Sequence, residues 1–117
     1  MSVQVFREPA RLTLRGLAKR AAPFLRAAGA ERAIVFGSYA RGVADGYSDL
    51  DLAVVVQTDR PRLERPREFE SMLDALGVPV DLMVFTPEEF AQGLARGYGV
   101  FNAIASEGVT IYAAATS

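Results

Sequence analysis

Three aspartates carry the chemistry open to this sequence. Asp49 and Asp51 stand two apart in Ser48-Asp49-Leu50-Asp51-Leu52, and Asp81 stands in Val80-Asp81-Leu82-Met83-Val84. On a strand, residues two apart face the same way. Asp49 and Asp51 therefore project together, while Leu50 and Leu52 point to the opposite face. Neighbouring carboxylates repel each other unless a cation lies between them. The chain has no His and no Cys. That removes imidazole bases, Ser-His and Cys-His triads, and zinc sites built on thiolate or imidazole. Oxygen ligands of this hard kind favour Mg²⁺ or Mn²⁺.

Asp81 joins the pair through topology. The stretch from Asp51 to Asp81 is long enough for a strand–helix–strand unit. Strands joined by such a crossover run parallel, so their starts share one end of the sheet. All three acids sit at or near strand starts, and the sequence predicts that they converge. A second feature precedes them. Gly37-Ser38-Tyr39-Ala40-Arg41-Gly42 follows a short apolar run. If the two strands on either side of this turn pair antiparallel, Gly37 lies beside Asp49. Glycine allows close backbone approach, and the amides of a following helical turn can hold a phosphate. The Ser38 hydroxyl and the Arg41 charge could serve the same group. Each feature has a plainer reading. An isolated Asp-x-Asp is usually a solvated turn, a Gly-Ser pair usually only a turn, and one buried Asp is usually satisfied by hydrogen bonds. Their joint order and spacing point to a metal–nucleotide site. Its place at strand starts sets it apart from dinucleotide folds, which bind at the carboxyl ends.

The elements that must position these residues follow from hydrophobic period. Leu14, Leu17, Ala18, Ala21, Phe24, Leu25 and Ala28 recur at helical spacing, with Pro23 an expected kink and Gly29 a cap. Residues 33–36 and 49–56 read as buried strands. A polar loop is expected over 57–66, with Arg60, Arg62, Arg65 and Arg67 solvated rather than clamping a phosphate. Phe69, Met72, Leu73 and Leu76 mark one helix face, ended by Gly77. Residues 78–85 read as a third strand. Thr86-Pro87-Glu88-Glu89 combines a cap, a first-position proline and a capping box. The helix it starts carries Phe90 and Leu94 and stops at Gly97 or Gly99. A short helix with Phe101 and Ile104 follows, then a strand over 109–112. Phe90, Leu94, Phe101 and Ile104 read as core, Tyr39 either as a base-stacking ring or as packing beside the turn. Gly97-Tyr98-Gly99-Val100-Phe101 is a candidate docking surface or core. The helices are expected to cover one face of a small mixed sheet, in an α/β (α+β) domain spanning residues 1–117. Residues 1–12 and 113–117 are expected to be loosely ordered.

Composition bounds the rest. With 117 residues and half of them apolar, one domain with its own core is feasible. The net charge of −1 argues against tight nucleic-acid binding, which phosphate neutralisation dominates. No apolar run approaches a membrane span, and residues 1–20 lack a signal-peptide core. The expectation is a cytoplasmic protein.

The site residues resemble the minimal nucleotidyltransferase (MNT) family of the polymerase-β-like superfamily. Its pattern is Gly-Ser-x-Ala-Arg-Gly, a spacer, Ser-Asp-x-Asp-Leu and a later Asp on a strand. Gly37, Ser38, Ala40, Arg41, Gly42, Ser48, Asp49, Asp51, Leu52 and Asp81 match it position by position, and the ending from Asn102 to Tyr112 is similar to the family's close. The segment before Ile104 lacks the basic residues of many members. The resemblance implies a polymerase-β-like fold, with Asp49, Asp51 and Asp81 as catalytic metal ligands for Mg²⁺ or Mn²⁺. Gly37, Ser38 and Arg41 would be nucleotide-binding, with ATP as substrate. Minimal members are commonly antitoxins that silence a HEPN toxin by AMP transfer, so a HEPN-type partner with a tyrosine acceptor is the first expectation. A small hydroxylated acceptor such as an aminoglycoside, or non-catalytic masking of the partner, are the alternatives. Homo- and hetero-oligomers both remain open.

Overall fold

The computed structural model describes residues 13–45 and 47–115; the expected loose lead-in over 1–12 lies outside them. Helix α1 spans Leu14–Ala28. Thr13 caps it, its hydroxyl accepting from the Gly16 amide at 3.1 Å, and Gly29 ends it in the left-handed region at φ 73°. Pro23 lies inside this helix. Strands β1 (Arg32–Phe36) and β2 (Leu50–Val55) follow, then α2 (Glu70–Leu76), β3 (Val80–Phe85), α3 (Pro87–Arg96), α4 (Val100–Glu107) and β4 (Val109–Ala113). The sheet order is β3-β2-β1-β4. β1 runs antiparallel to β2 and β4, and β2 runs parallel to β3. The parallel pair is what the crossover through α2 requires. The capping box at α3 forms in full: Thr86 Oγ1 accepts from the Glu89 amide, and Glu89 Oε1 accepts from the Thr86 amide at 2.9 Å.

Strand alternation splits the core in two. Val35, Leu52, Val54 and Val84 pack with Leu17, Ala21 and Leu25 of α1 and Met72 and Leu76 of α2. Ile34, Phe36, Ala53, Val55 and Phe85 pack with Phe90 of α3 and Ile104 of α4. The helices thus cover both faces, not one. The reason is the α3–α4 corner, which sequence period shows as two short helices but not as a second layer. Gly93 makes the corner: a Cβ there would overlap the Phe101 ring, so the missing side chain lets α4 close on α3. The Phe85 and Phe101 ring centroids lie 4.9 Å apart, and Phe90 meets Phe101 edge-on. Phe90 and Ile104 are buried, with Leu94 and Phe101 packed against them.

The expected solvated loop is corrected as well. The loop over 57–66 gives way to a 3-10 segment, Arg62–Phe69. Arg65 within it is 7% exposed rather than solvated. Its guanidinium donates to the Val84 carbonyl at 3.1 Å and to Glu89 Oε1 at 2.6 Å, so it fills an acceptor that edge strand β3 would leave unpaired. Of the tail expected to be loosely ordered, residues 116–117 lie outside the described residues. Ala113 pairs with Arg32, and the Ala114 amide donates to the Glu31 carbonyl at 2.9 Å.

Candidate active site

The strand starts bring the acids to one end of the sheet. In the register, Asp51 stands opposite Asp81 on β3 and opposite Phe36 on β1. The Leu50 amide donates to the Pro79 carbonyl at 2.8 Å, which locks the entry to β3 beside Asp49. Asp51 shares its face with Ala53 and Val55, and Asp81 shares its face with Met83 and Phe85, so both look toward the α3–α4 side. Asp49 is exposed just ahead of β2. Asp51 is only partly exposed, and its carboxyl sits above the usual range. Burial is the main cause, followed by the negative charges of Asp81, Asp49 and Glu107, with Arg41 pulling the other way. One carboxyl thus registers three other acids.

Ser48 sets the approach of Asp49. Its hydroxyl accepts from the Asp45 amide at 3.0 Å and donates to Asp45 Oδ1 at 3.3 Å, closing a turn at the entrance to β2. On the other side, Gly37 leaves β1 at φ 72°. A Cβ at Gly37 would overlap Asp51 Oδ2, so only glycine lets the backbone pass this carboxylate. The chain then coils: Arg41 donates its amide to the Gly37 carbonyl at 3.1 Å, and Val43 to the Ser38 carbonyl at 3.0 Å. The first amides of such a turn have no partner inside it, and they belong to Ser38 and its neighbours, next to the acids. Tyr39 resolves as packing: it is buried with the α1 core. Its phenol is held above its ordinary pKa by that burial first, then by Asp45 and Asp49.

Among the described residues, no group of three or more acids closes into a metal cage. The fit to a divalent ion lies in the charge pattern. Asp51, pushed toward its neutral form by burial first and then by the acids around it, is relieved by a cation placed among them. A groove of about 500 Å³ runs along β3 on the α3–α4 side, lined by Leu63, Met83, Phe85, Tyr98, Val100 and Phe101 among others. It takes in none of the three aspartates.

The sequence matches the nucleotidyltransferase domain family over residues 18–105. The chain belongs to that family. Among solved structures, a minimal nucleotidyltransferase is similar at 30% identity and a TM-score of 0.57, over 86% of this chain and 97% of that one. A toxin–antitoxin complex with AMP-PNP is similar at 20% identity and TM-score 0.59, over 83% of this chain and 73% of that one. A third is the tri-AMPylated Shewanella oneidensis HEPN toxin in complex with its MNT antitoxin, at 17% identity and TM-score 0.55, over 87% of this chain and 74% of that one. Among curated proteins no sequence matches. The mixed four-stranded sheet flanked by helices is the fold of minimal nucleotidyltransferases.

One residue beside these aspartates escaped the sequence pattern. Glu107, the last residue of α4, pairs with Arg41 at 2.7 Å and lies close enough to raise Asp51. It stands in the stretch that resembles the family's close, but no spacing rule links a helix end to a turn 66 residues away.

Proposed function

We propose that this nucleotidyltransferase moves AMP from ATP to a hydroxyl, a tyrosine first, of a HEPN-type partner protein, and acts as that partner's antitoxin. The observation that carries the reading is the register Asp51–Asp81, with Gly37 pressed against the same carboxylate, in a chain of this family. Asp49, Asp51 and Asp81 would hold Mg²⁺ or Mn²⁺. Such an ion, when bound, neutralises charge on the triphosphate and on the reacting oxygens. The amides of Gly37 and Ser38, the Ser38 hydroxyl and Arg41 orient the phosphates. The acceptor oxygen attacks the α-phosphorus, the bond to the bridging oxygen breaks, and pyrophosphate leaves while Asp81 receives the acceptor proton. Positioning and electrostatics carry such a transfer.

A protein acceptor is favoured by the shape of the site. The acids stand at an open sheet end, outside the groove that runs along β3. A small acceptor would need an enclosing pocket to orient it. A partner brings its own surface, and the groove with Tyr98, 60% exposed at its edge, gives that surface a place to seat. The likeness to complexes of MNT antitoxins with HEPN toxins supports the same partner class. The test is intact-mass measurement after incubation with Mg-ATP and a HEPN-type protein from the same genome. The expected result is a partner mass increased by one or more AMP units, absent with the Asp49→Asn/Asp51→Asn protein, whose melting temperature is no lower than that of the wild type. An unmodified partner, with an aminoglycoside-like alcohol modified instead, would move the function to small-molecule transfer.

A further inference from the structure

We propose that Glu107 is a positioning residue for the nucleotide: it holds Arg41, and with it the turn from Gly37 to Gly42, against the rigid frame of the sheet. This rests on the nucleotidyltransferase reading above and assigns a role to a residue outside the aspartate set.

Glu107 is anchored tightly. The Gly108 amide donates to the Ile104 carbonyl at 3.0 Å, closing α4. A Cβ on Gly108 would overlap that carbonyl and crowd Ile34 Cγ2 at 2.8 Å, so the helix end is pressed onto β1. Gly108 has φ −65°, so space rather than backbone conformation demands the glycine. Val109 then pairs with Val35, two residues before Gly37. Arg41 lies in the turn that leaves the same strand. The two partners are therefore fixed to β1 from opposite directions, and the ion pair closes the loop between them. Of the pair, Glu107 is the better held, its side chain 24% exposed against 53% for Arg41.

An ion pair this exposed contributes little to folding, so its effect is to be sought in the site. The contact joins one guanidinium nitrogen, Nη1, to one carboxylate oxygen, Oε2. A guanidinium has five N–H donors in a rigid fork. Held at one corner, Arg41 keeps its other donors for a phosphate and loses the freedom to swing into solvent. Sequestration would predict the reverse: Glu107 would compete with phosphate, and its removal would tighten nucleotide binding. The sign of the effect separates the two.

The experiment is calorimetric titration with AMP-PNP and Mg²⁺, on the wild type and on Glu107→Ala, Glu107→Gln, Arg41→Ala and the Arg41→Ala/Glu107→Ala double variant. Each protein is checked first for an unchanged melting temperature. Glu107→Ala is expected to bind about threefold to tenfold more weakly, in the lower part of the range for a coupled pair. Glu107→Gln, which keeps an oxygen acceptor for Nη1, is expected to recover part of that loss. In the Arg41→Ala background, removing Glu107 is expected to change nothing further. Unchanged or tighter binding by Glu107→Ala overturns the proposal, as does an equal loss with Arg41 already gone. Failure of the wild type itself to bind Mg-AMP-PNP overturns the nucleotide reading and this inference together; wild-type binding indifferent to Glu107 overturns the inference alone.

Discussion

Gly37 and Asp51 compete for the same few cubic ångströms, and that competition ties folding to function at a single residue pair. Gly37 satisfies two demands at once, a positive φ of 72° and clearance for Asp51 Oδ2. Gly37→Ala should therefore cost about 1–3 kcal/mol, the scale of a residue held in a sparsely populated backbone region. Urea unfolding measures it. The cost should fall when Asp51→Ala opens the space, because neighbours that share a clash are not additive. An identical cost in both backgrounds would mean that backbone conformation acts without the carboxylate. Asp51 carries a second consequence. A carboxyl raised by burial and by neighbouring acids binds its proton more tightly folded than unfolded. Stability from this group is full below the ordinary Asp pKa and is lost as pH rises through the raised value. In metal-free protein at neutral pH, Asp51→Asn should thus raise the melting temperature. The gain should vanish in acid, where Asp51 is protonated anyway. A lower melting temperature at pH 7 would contradict the charge pattern described for the site.

At the scale of elements, the distance between the acids and Arg65 is the telling one. The acids stand at the starts of β2 and β3, and Arg65 braces the far half of β3, where Val84 meets the 3-10 segment and the capping box of α3. Glu89 serves that box and the Arg65 pair together. Its carboxyl is held below the usual range, by the Arg65 hydrogen bond first and by the Thr86 amide and the arginine charges with it, against burial. Stability from a depressed carboxyl is present above the ordinary Glu pKa and lost as pH falls through the folded value. Melting temperature recorded from pH 7 down into the acid range should fall in the wild type. In Glu89→Gln it should start lower and fall less. Parallel curves would exclude Glu89 as the cause. The two ends of β3 also differ in how far the sequence exposed them. Strand period and a crossover of the right length were enough to place Asp51 and Asp81 together, because both rules act locally and have few alternatives. The capping box was legible for the same reason. Arg65 was not, because a polar run with two prolines reads as a solvated loop whether or not one side chain turns inward. What turns it is an edge carbonyl on another element, which hydrophobic period does not report.

At the scale of the whole molecule, the balance of charge decides what the open sheet end can receive. Lys and Arg number 13 against 14 Asp and Glu. The structure spends several arginines internally: Arg41 on Glu107, Arg60 on Glu68, and Arg62 and Arg65 on Glu89. The clustered acids meanwhile give the open end a negative field. The second layer of helices, hidden from sequence period because α3 and α4 are short, leaves the sheet end rather than a sheet face as the approach to the acids. A nucleoside triphosphate can enter there with its own divalent ion, because the ion cancels much of the repulsion. A polynucleotide brings a long row of phosphates and needs a matching row of cations, each released counterion adding to affinity and to its salt dependence. Four arginines are held in ion pairs, and the acids grouped at the sheet end repel such a row of phosphates. Fluorescence anisotropy with labelled single-stranded RNA and duplex DNA at physiological salt should give binding weaker than the micromolar range and a shallow salt slope. Micromolar affinity falling steeply with added salt would mean that the remaining cations outweigh the acids at the sheet end, and would turn the acceptor from a protein hydroxyl to an RNA end.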